Sequence, residues 1–208
     1  AVPAAAVGVY LAGRAWEREL DAVRDKHLVL AKHLSDGLAR YAVDVEAAFQ
    51  LAVASLAAGR SVDDLVIVLE RLHFKHVALL DAEGRPEGSL TTDSERPLLW
   101  VPDGLREEMV RTDPGMSIGE TTFSRVMAGD RGGPTLFLWA PRGAIGVAVG
   151  SLKTEHLIHV QSGIVFGEKG HAVIVDGQGR VIAHPNRQWQ ESMWNLSELA
   201  PVQELRAG

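Results

Sequence analysis

The sequence predicts an α+β fold, in which a long N-terminal helix packs on a five-stranded antiparallel sheet and the opening of that sheet then recurs. Three observations carry this expectation. First, one hairpin is present twice. His76-Val-Ala-Leu-Leu-Asp81-Ala-Glu-Gly84-Arg85 and His171-Ala-Val-Ile-Val-Asp176-Gly-Gln-Gly179-Arg180 hold His, Asp, Gly and Arg in one frame, 95 residues apart. Second, apolar residues from Arg14 to Ala58 recur in steps of three and four, the period of an amphipathic helix. Third, strand-like runs between Met116 and Leu152 are separated by tight turns, the pattern of an antiparallel meander.

Composition narrows the class. With 208 residues, one or two domains are expected. The formal net charge of −6 argues against a nucleic-acid partner, which would need a basic stripe. Cysteine is absent, which excludes disulfides, thiolate catalysis and Cys-based zinc sites.

In chain order, residues 1–13 carry no charged side chain and are too few to span a bilayer, which takes about 20 residues. They are expected to be the end of a membrane helix or a leader. The stalk helix follows over 14–60. Trp16, Leu20, Val23, His27, Leu30, Leu34, Leu38, Tyr41, Val45, Phe49, Ala52 and Leu56 form its seam. Such a helix is ~68 Å long at about 1.5 Å per residue. That exceeds what one core needs, so the seam is expected to meet a second copy as well. Gly37 is its weak point.

Ser61 is expected to cap the next helix, with Asp63 and Asp64 on its positive end. Strands at 74–81 and 86–91 make the first hairpin. Each Asp can bond the amides of its turn, and each Gly supplies the positive φ. A connection over 91–102, a helix over 103–112 and strands at 116–125, 135–140 and 144–152 complete a PAS-like module over 61–165. Thr154 is expected to cap a helix reaching about Val165. Residues 187–194 and 201–206 read as helices. His76–Leu152 takes 77 residues and His171–Gly208 only 38. Residues 166–208 are therefore expected to be the beginning of a second module.

This order, with "GAIGVAVGSLKTEHL", then "GEKGHAVIVDGQGRVIAHPN" and "LSELAPVQELRAG", resembles the double Cache sensor domains of bacterial transmembrane receptors. The resemblance implies a periplasmic, ligand-sensing region of an inner-membrane protein, held by flanking membrane helices. It implies a homodimer and a cytoplasmic output module: a histidine kinase first, a diguanylate cyclase or chemoreceptor next. Amino-acid-binding members carry an Arg-x-Trp-Tyr stretch and an Asp near the end of the last strand of the distal sheet. Here Glu95-Arg96-Pro97-Leu98-Leu99-Trp100 occupies the first region and Ser151 the second. An amino-acid ligand is therefore not supported.

No Gly-x-Ser-x-Gly elbow, phosphate loop or dinucleotide fingerprint occurs. Neither catalytic residues nor a cofactor are expected in this region. The pairs His73-x-x-His76 and His156-x-x-His159 lack a third ligand by sequence, so no metal site is expected. His184, ahead of Pro185, is read as a turn residue. The candidate site is a pocket in the first module, roofed by 91–115. Alternation puts Thr135, Phe137 and Trp139 on one face, and Val147, Val149 and Ser151 on one face of the next strand. Ser117 and Thr121 share a face of the preceding strand. Trp100 can wall the pocket, and Arg111 can meet an anion with its forked donors. The expected ligand is a small molecule carrying a carboxylate. Two other readings stay open: a ligand-free dimerisation module, and a hydrolase using the His pairs.

Overall fold

The structure is a computed structural model that describes residues 2–92, 101–112, 116–130, 132–166 and 170–207. Helix α1 runs unbroken from Val2 to Ala57, straight through Gly37. Nothing lies within 4 Å of a Cβ built on Gly37. The expected stalk helix is therefore present and begins earlier in the chain. Trp16, Leu20, Val23 and His27 lie outside the described side chains. Compactness divides the chain after Tyr41 into a helical unit, 1–41, and a unit that carries every sheet, 42–208.

In the second unit α1 buries Val45, Ala48, Phe49 and Ala52, one stripe at three/four spacing. Helix α2 (Asp63–Arg71) follows. Its N-cap is Val62, with no side-chain cap bond. Ser61 Oγ donates instead to Asp63 Oδ2 at 3.0 Å, which corrects the expected cap.

The main sheet contains β1 (Phe74–Leu80), β2 (Pro86–Thr91), β3 (Thr122–Phe123), β4 (Met127–Ala128), β5 (Pro134–Pro141) and β6 (Val147–Lys153). The order is β2-β1-β6-β5-β3, with β4 also on β5. Five strand positions were expected and five are filled. However, the predicted strand 116–125 is replaced by β3 and β4, two short pieces on one neighbour. Between them the amides of Arg125 and Val126 go to the Glu108 and Asp176 side chains, so the ladder on β5 is interrupted there.

Register fixes the two faces. Val77 and Leu138 both pair with Gly150, which puts them on the face toward α1. A Cβ on Gly150 would come within 3.0 Å of the Phe49 ring. Gly150 thus lets the helix approach the sheet closely. Helix α3 (Asp103–Thr112) belongs to the opposite face, described below.

Both hairpin turns close as the sequence predicts. Asp81 Oδ1 accepts from Glu83 N–H and Arg85 N–H at 3.0 and 2.8 Å. Asp176 Oδ1 accepts from Gln178 N–H and Arg180 N–H at 2.8 and 2.9 Å. Gly84 and Gly179 sit at φ +80° and +82°. The repeat is therefore a repeat of turn geometry, with the same pair of amide bonds to Oδ1 of each Asp.

After β6, α4 (Glu155–Ser162) is shorter than expected. Thr154 precedes it without a side-chain cap bond, because its hydroxyl donates to the Pro134 carbonyl at 2.9 Å. Short pairs follow: β7 (Val165–Phe166) with β8 (Gly170–His171), and β9 (Ile174–Val175) with β10 (Val181–Ala183). Helices α5 (Arg187–Glu191) and α6 (Ala200–Ala207) end the chain. Asn186 caps α5, its Oδ1 accepting from Gln188 N–H at 3.0 Å. Val181, Leu196 and Val202 form a small core there.

Candidate functional site: a polar end on an apolar sheet face

The sheet face away from α1 changes character along its length. At one end Ala78, Leu80, Phe137, Trp139 and Val149 form a buried cluster with Leu105 of α3. Met109 of α3, with Val101 and Met116, closes over it. At the other end the same face carries His76, Thr135 and Ser151, each 5% exposed or less. Register explains their meeting: His76 and Phe137 both pair with Ser151.

His76 Nδ1 lies 3.4 Å from Ser151 Oγ. Lys75 Nζ donates to Thr135 Oγ1 at 3.3 Å and lies 3.9 Å from Asp130 Oδ1. Lys75 and Asp130 side chains are 17% and 15% exposed, so this loose ion pair is held in a partly dry setting. These residues surround a crevice of about 10 Å3, room for about one water. Lys75 also borders a cleft of about 1110 Å3, lined further on by Lys153, Thr154, Gln161, His184 and Arg187. Crevice and cleft thus share Lys75 in their walls.

The predicted site residues separate into two groups. Phe137 and Ser151 line the crevice. Trp139 lies deeper on the same face, 1% exposed, and its Nε1–H has no partner among the described residues. Arg111 is exposed, and its Nε donates to the Glu107 carbonyl of its own helix at 3.3 Å. Ser117 is exposed in a turn, its N–H bonded to Glu120 Oε2. Thr121 Oγ1 accepts from Gln50 Nε2 of α1 at 3.3 Å. Neither Ser117 nor Thr121 is in a strand, so their expected shared strand face does not form. Trp100 lies outside the described residues.

Four wall residues were missed. His76 had a signal, since it opens the repeated hairpin, and Thr135 had been placed on the correct face. Lys75 and Asp130 had none, because a bulge in β1 and a turn 55 residues later bring them together. Asp130 places a carboxylate in the crevice wall, 3.9 Å from Lys75 Nζ.

The histidines recombine across elements. His73 stacks on His156, ring centroids 4.8 Å apart, rather than acting with His76. Among the described residues no group of three or more metal-ligating side chains forms. His184 is 9% exposed, packed edge-on to His171 and tilted against Trp189. Its Nδ1 accepts from Asn186 N–H at 2.8 Å, which leaves the neutral ring's proton on Nε2.

Burial first, then the neighbouring His171, holds His184 below the ordinary imidazole value. Burial, then His73 and His159, does the same to His156. The fold therefore favours both neutral rings. That stability is present above about pH 6.5 and is lost as pH falls toward the lowered values. Melting temperature should drop between about pH 7.5 and 5.5, and the combined His156→Gln and His184→Gln substitutions should flatten that drop. An unchanged slope in the double variant would remove both groups as its source.

The fold is shared with the extracellular domain of a histidine kinase. The extracellular domain of the putative histidine kinase vpHK1S-Z8 superposes at a TM-score of 0.56, with 15% identity over 86% of this chain and 81% of that one. The ligand-binding domain of the Pseudomonas fluorescens chemoreceptor CtaA, solved with L-serine, gives 0.48, with 24% identity over 81% of this chain and 71% of that one. In sequence, the chain is 26% identical over 151 residues to the methyl-accepting chemotaxis protein McpA of Pseudomonas putida KT2440. That match takes in 69% of this chain and 23% of the receptor. No protein-family model matches the sequence. Among the described residues, no helix is long and apolar enough to cross a membrane.

Proposed function

We propose that this chain is the extracytoplasmic sensing region of an inner-membrane signalling receptor and binds a small molecule carrying a carboxylate at Lys75. One observation carries the site: buried His76, Thr135 and Ser151 with the partly buried charge of Lys75, on an otherwise apolar sheet face beside an open cleft. Buried polar groups cost free energy unless paired. Lys75 holds Asp130 only at 3.9 Å, so a ligand carboxylate at hydrogen-bond distance would displace a weak partner with a stronger one. Ser151 and His76 would receive the ligand's remaining polar groups, and Phe137 its apolar body.

Asp130 favours a second version of the ligand, a zwitterion whose ammonium group takes the carboxylate that Lys75 releases. The sequence relation to a chemotaxis protein supports a chemoreceptor output, and the fold relation to a kinase sensor supports a histidine kinase. Exposed Leu28 and Val29 on α1 support pairing with a second copy.

A thermal-shift panel of organic acids and amino acids tests the site. The intact protein is expected to gain melting temperature with at least one, Lys75→Gln to lose that gain, and Arg111→Ala to keep it. Asp130→Asn should abolish only an amino-acid response. A flat panel sinks the carboxylate, and a full response in Lys75→Gln sinks the site. Sedimentation in the same buffers reads the assembly, and a strict monomer at high concentration removes the pairing.

A further inference from the structure

Between β3 and β4, three consecutive backbone amides go to three different parts of the chain. Ser124 N–H donates to the Phe137 carbonyl at 2.8 Å, and Ser124 Oγ accepts from Phe137 N–H at 3.1 Å. Arg125 N–H donates to Glu108 Oε1, on the roof helix α3, at 3.3 Å. Val126 N–H donates to Asp176 Oδ2, in the second hairpin, at 2.9 Å.

The last bond shows where the two hairpins have diverged. In both, one oxygen of the Asp organises the turn. The other oxygen of Asp81 accepts from Arg85 Nε at 2.7 Å, a local ion pair. The other oxygen of Asp176 instead reaches Val126, 50 residues away. Arg180, the counterpart of Arg85, has its Nε buried with no partner among the described residues. The second hairpin has thus given up its local ion pair for a tie to the main sheet. Val126 is 0% exposed, so its amide has no water to turn to if Asp176 withdraws.

We propose that Ser124–Val126 is a coupling segment, which transmits a displacement of the roof helix α3 to the hairpin of β9 and β10. The reason is geometric. Consecutive Cα atoms stay about 3.8 Å apart, so a displacement of the Arg125 amide with Glu108 has to be taken up by rotations at Ser124 and Val126, whose own amides are held on Phe137 and Asp176. Phe137 lines the crevice, which joins the segment to the ligand face as well. The signalling meaning rests on the sensor reading above, whereas the mechanical coupling needs no ligand.

Amide hydrogen exchange on the whole chain, without added ligand, tests it. Glu108→Ala removes the acceptor of the Arg125 amide together with the ion pair to the Arg125 guanidinium. Exchange is expected to quicken at least tenfold at Val126, Gln178 and Arg180 as well as at Arg125, with the β6 amides unchanged. The reverse perturbation, Asp176→Asn, keeps one oxygen for the turn and removes the tie. It should quicken Arg125 and Ser124. Glu108→Asp, which retains the acceptor on a shorter arm, should restore part of the protection. If Glu108→Ala accelerates the β6 amides too, Asp176→Asn and Glu108→Asp carry the decision. Acceleration confined to the amide whose acceptor was removed overturns the coupling. A flat ligand panel leaves this result standing, and a negative result here leaves the carboxylate site standing.

Discussion

Gly146→Ala should lower the melting temperature by roughly 10 °C, the largest effect expected of any single methyl group added to this chain. Gly146 joins the β5–β6 turn to β6 at φ 122° and ψ −144°, backbone that side-chain-bearing residues rarely adopt. Strain of that kind costs about 1–3 kcal/mol by itself. Space adds to it. A Cβ there would lie 2.0 Å from the Leu80 carbonyl oxygen and 2.7 Å from the Asp81 carbonyl carbon. Both atoms are backbone at the end of β1 and the start of the first hairpin turn. Relief would have to part Val147 from Leu80, the pair that begins the β1–β6 ladder. Together the two terms make about 3 kcal/mol or more. Gly143→Ala is the comparison. It also has positive φ, +67°, but its Cβ would meet only the flexible tip of Ile118 at 3.1 Å. It should cost about 1–2 kcal/mol. Equilibrium denaturation of both variants decides, and equal midpoints would refute the backbone clash.

Trp139→Ala should cost about 3–5 kcal/mol, the usual range for removing a buried aromatic ring. Trp139 is 1% exposed and central to the cluster that α3 covers. Trp139→Phe should behave differently. It keeps a ring in place and removes the indole N–H, which has no partner among the described residues. An unmade buried hydrogen bond costs about 1–3 kcal/mol, and its removal offsets the lost packing. The Phe variant should therefore melt within a few degrees of the parent, which is about 1 kcal/mol for a chain of this size. Matching losses for Phe and Ala would mean that the whole indole is needed there, and the idea of an unsatisfied donor would fail.

What local pattern encodes was legible in the chain. The three/four spacing of Val45, Ala48, Phe49 and Ala52 gave the helix, because side chains that far apart share one helical face whatever they pack against. Asp81 and Gly84, and again Asp176 and Gly179, gave both turns, since their bonds close within four residues. Strand alternation gave the shared face of Phe137, Trp139 and Ser151. The fold shared with a receptor's extracellular domain was legible in the order of these elements.

The tertiary structure alone decided the site's polar partners and the break in the third strand. Lys75 meets Thr135, and His73 meets His156, through contacts 60 and 83 residues apart that no local preference specifies. Arg111 stood in the predicted roof helix, but the direction of its side chain depended on how that helix lay on the sheet. Its guanidinium faces outward, onto the Glu107 carbonyl. Residues 116–125 read as one strand, of which Thr122–Phe123 forms. Glu108 and Asp176 instead accept the amides of Arg125 and Val126, and a backbone amide bonded to a side chain is no longer available to a ladder.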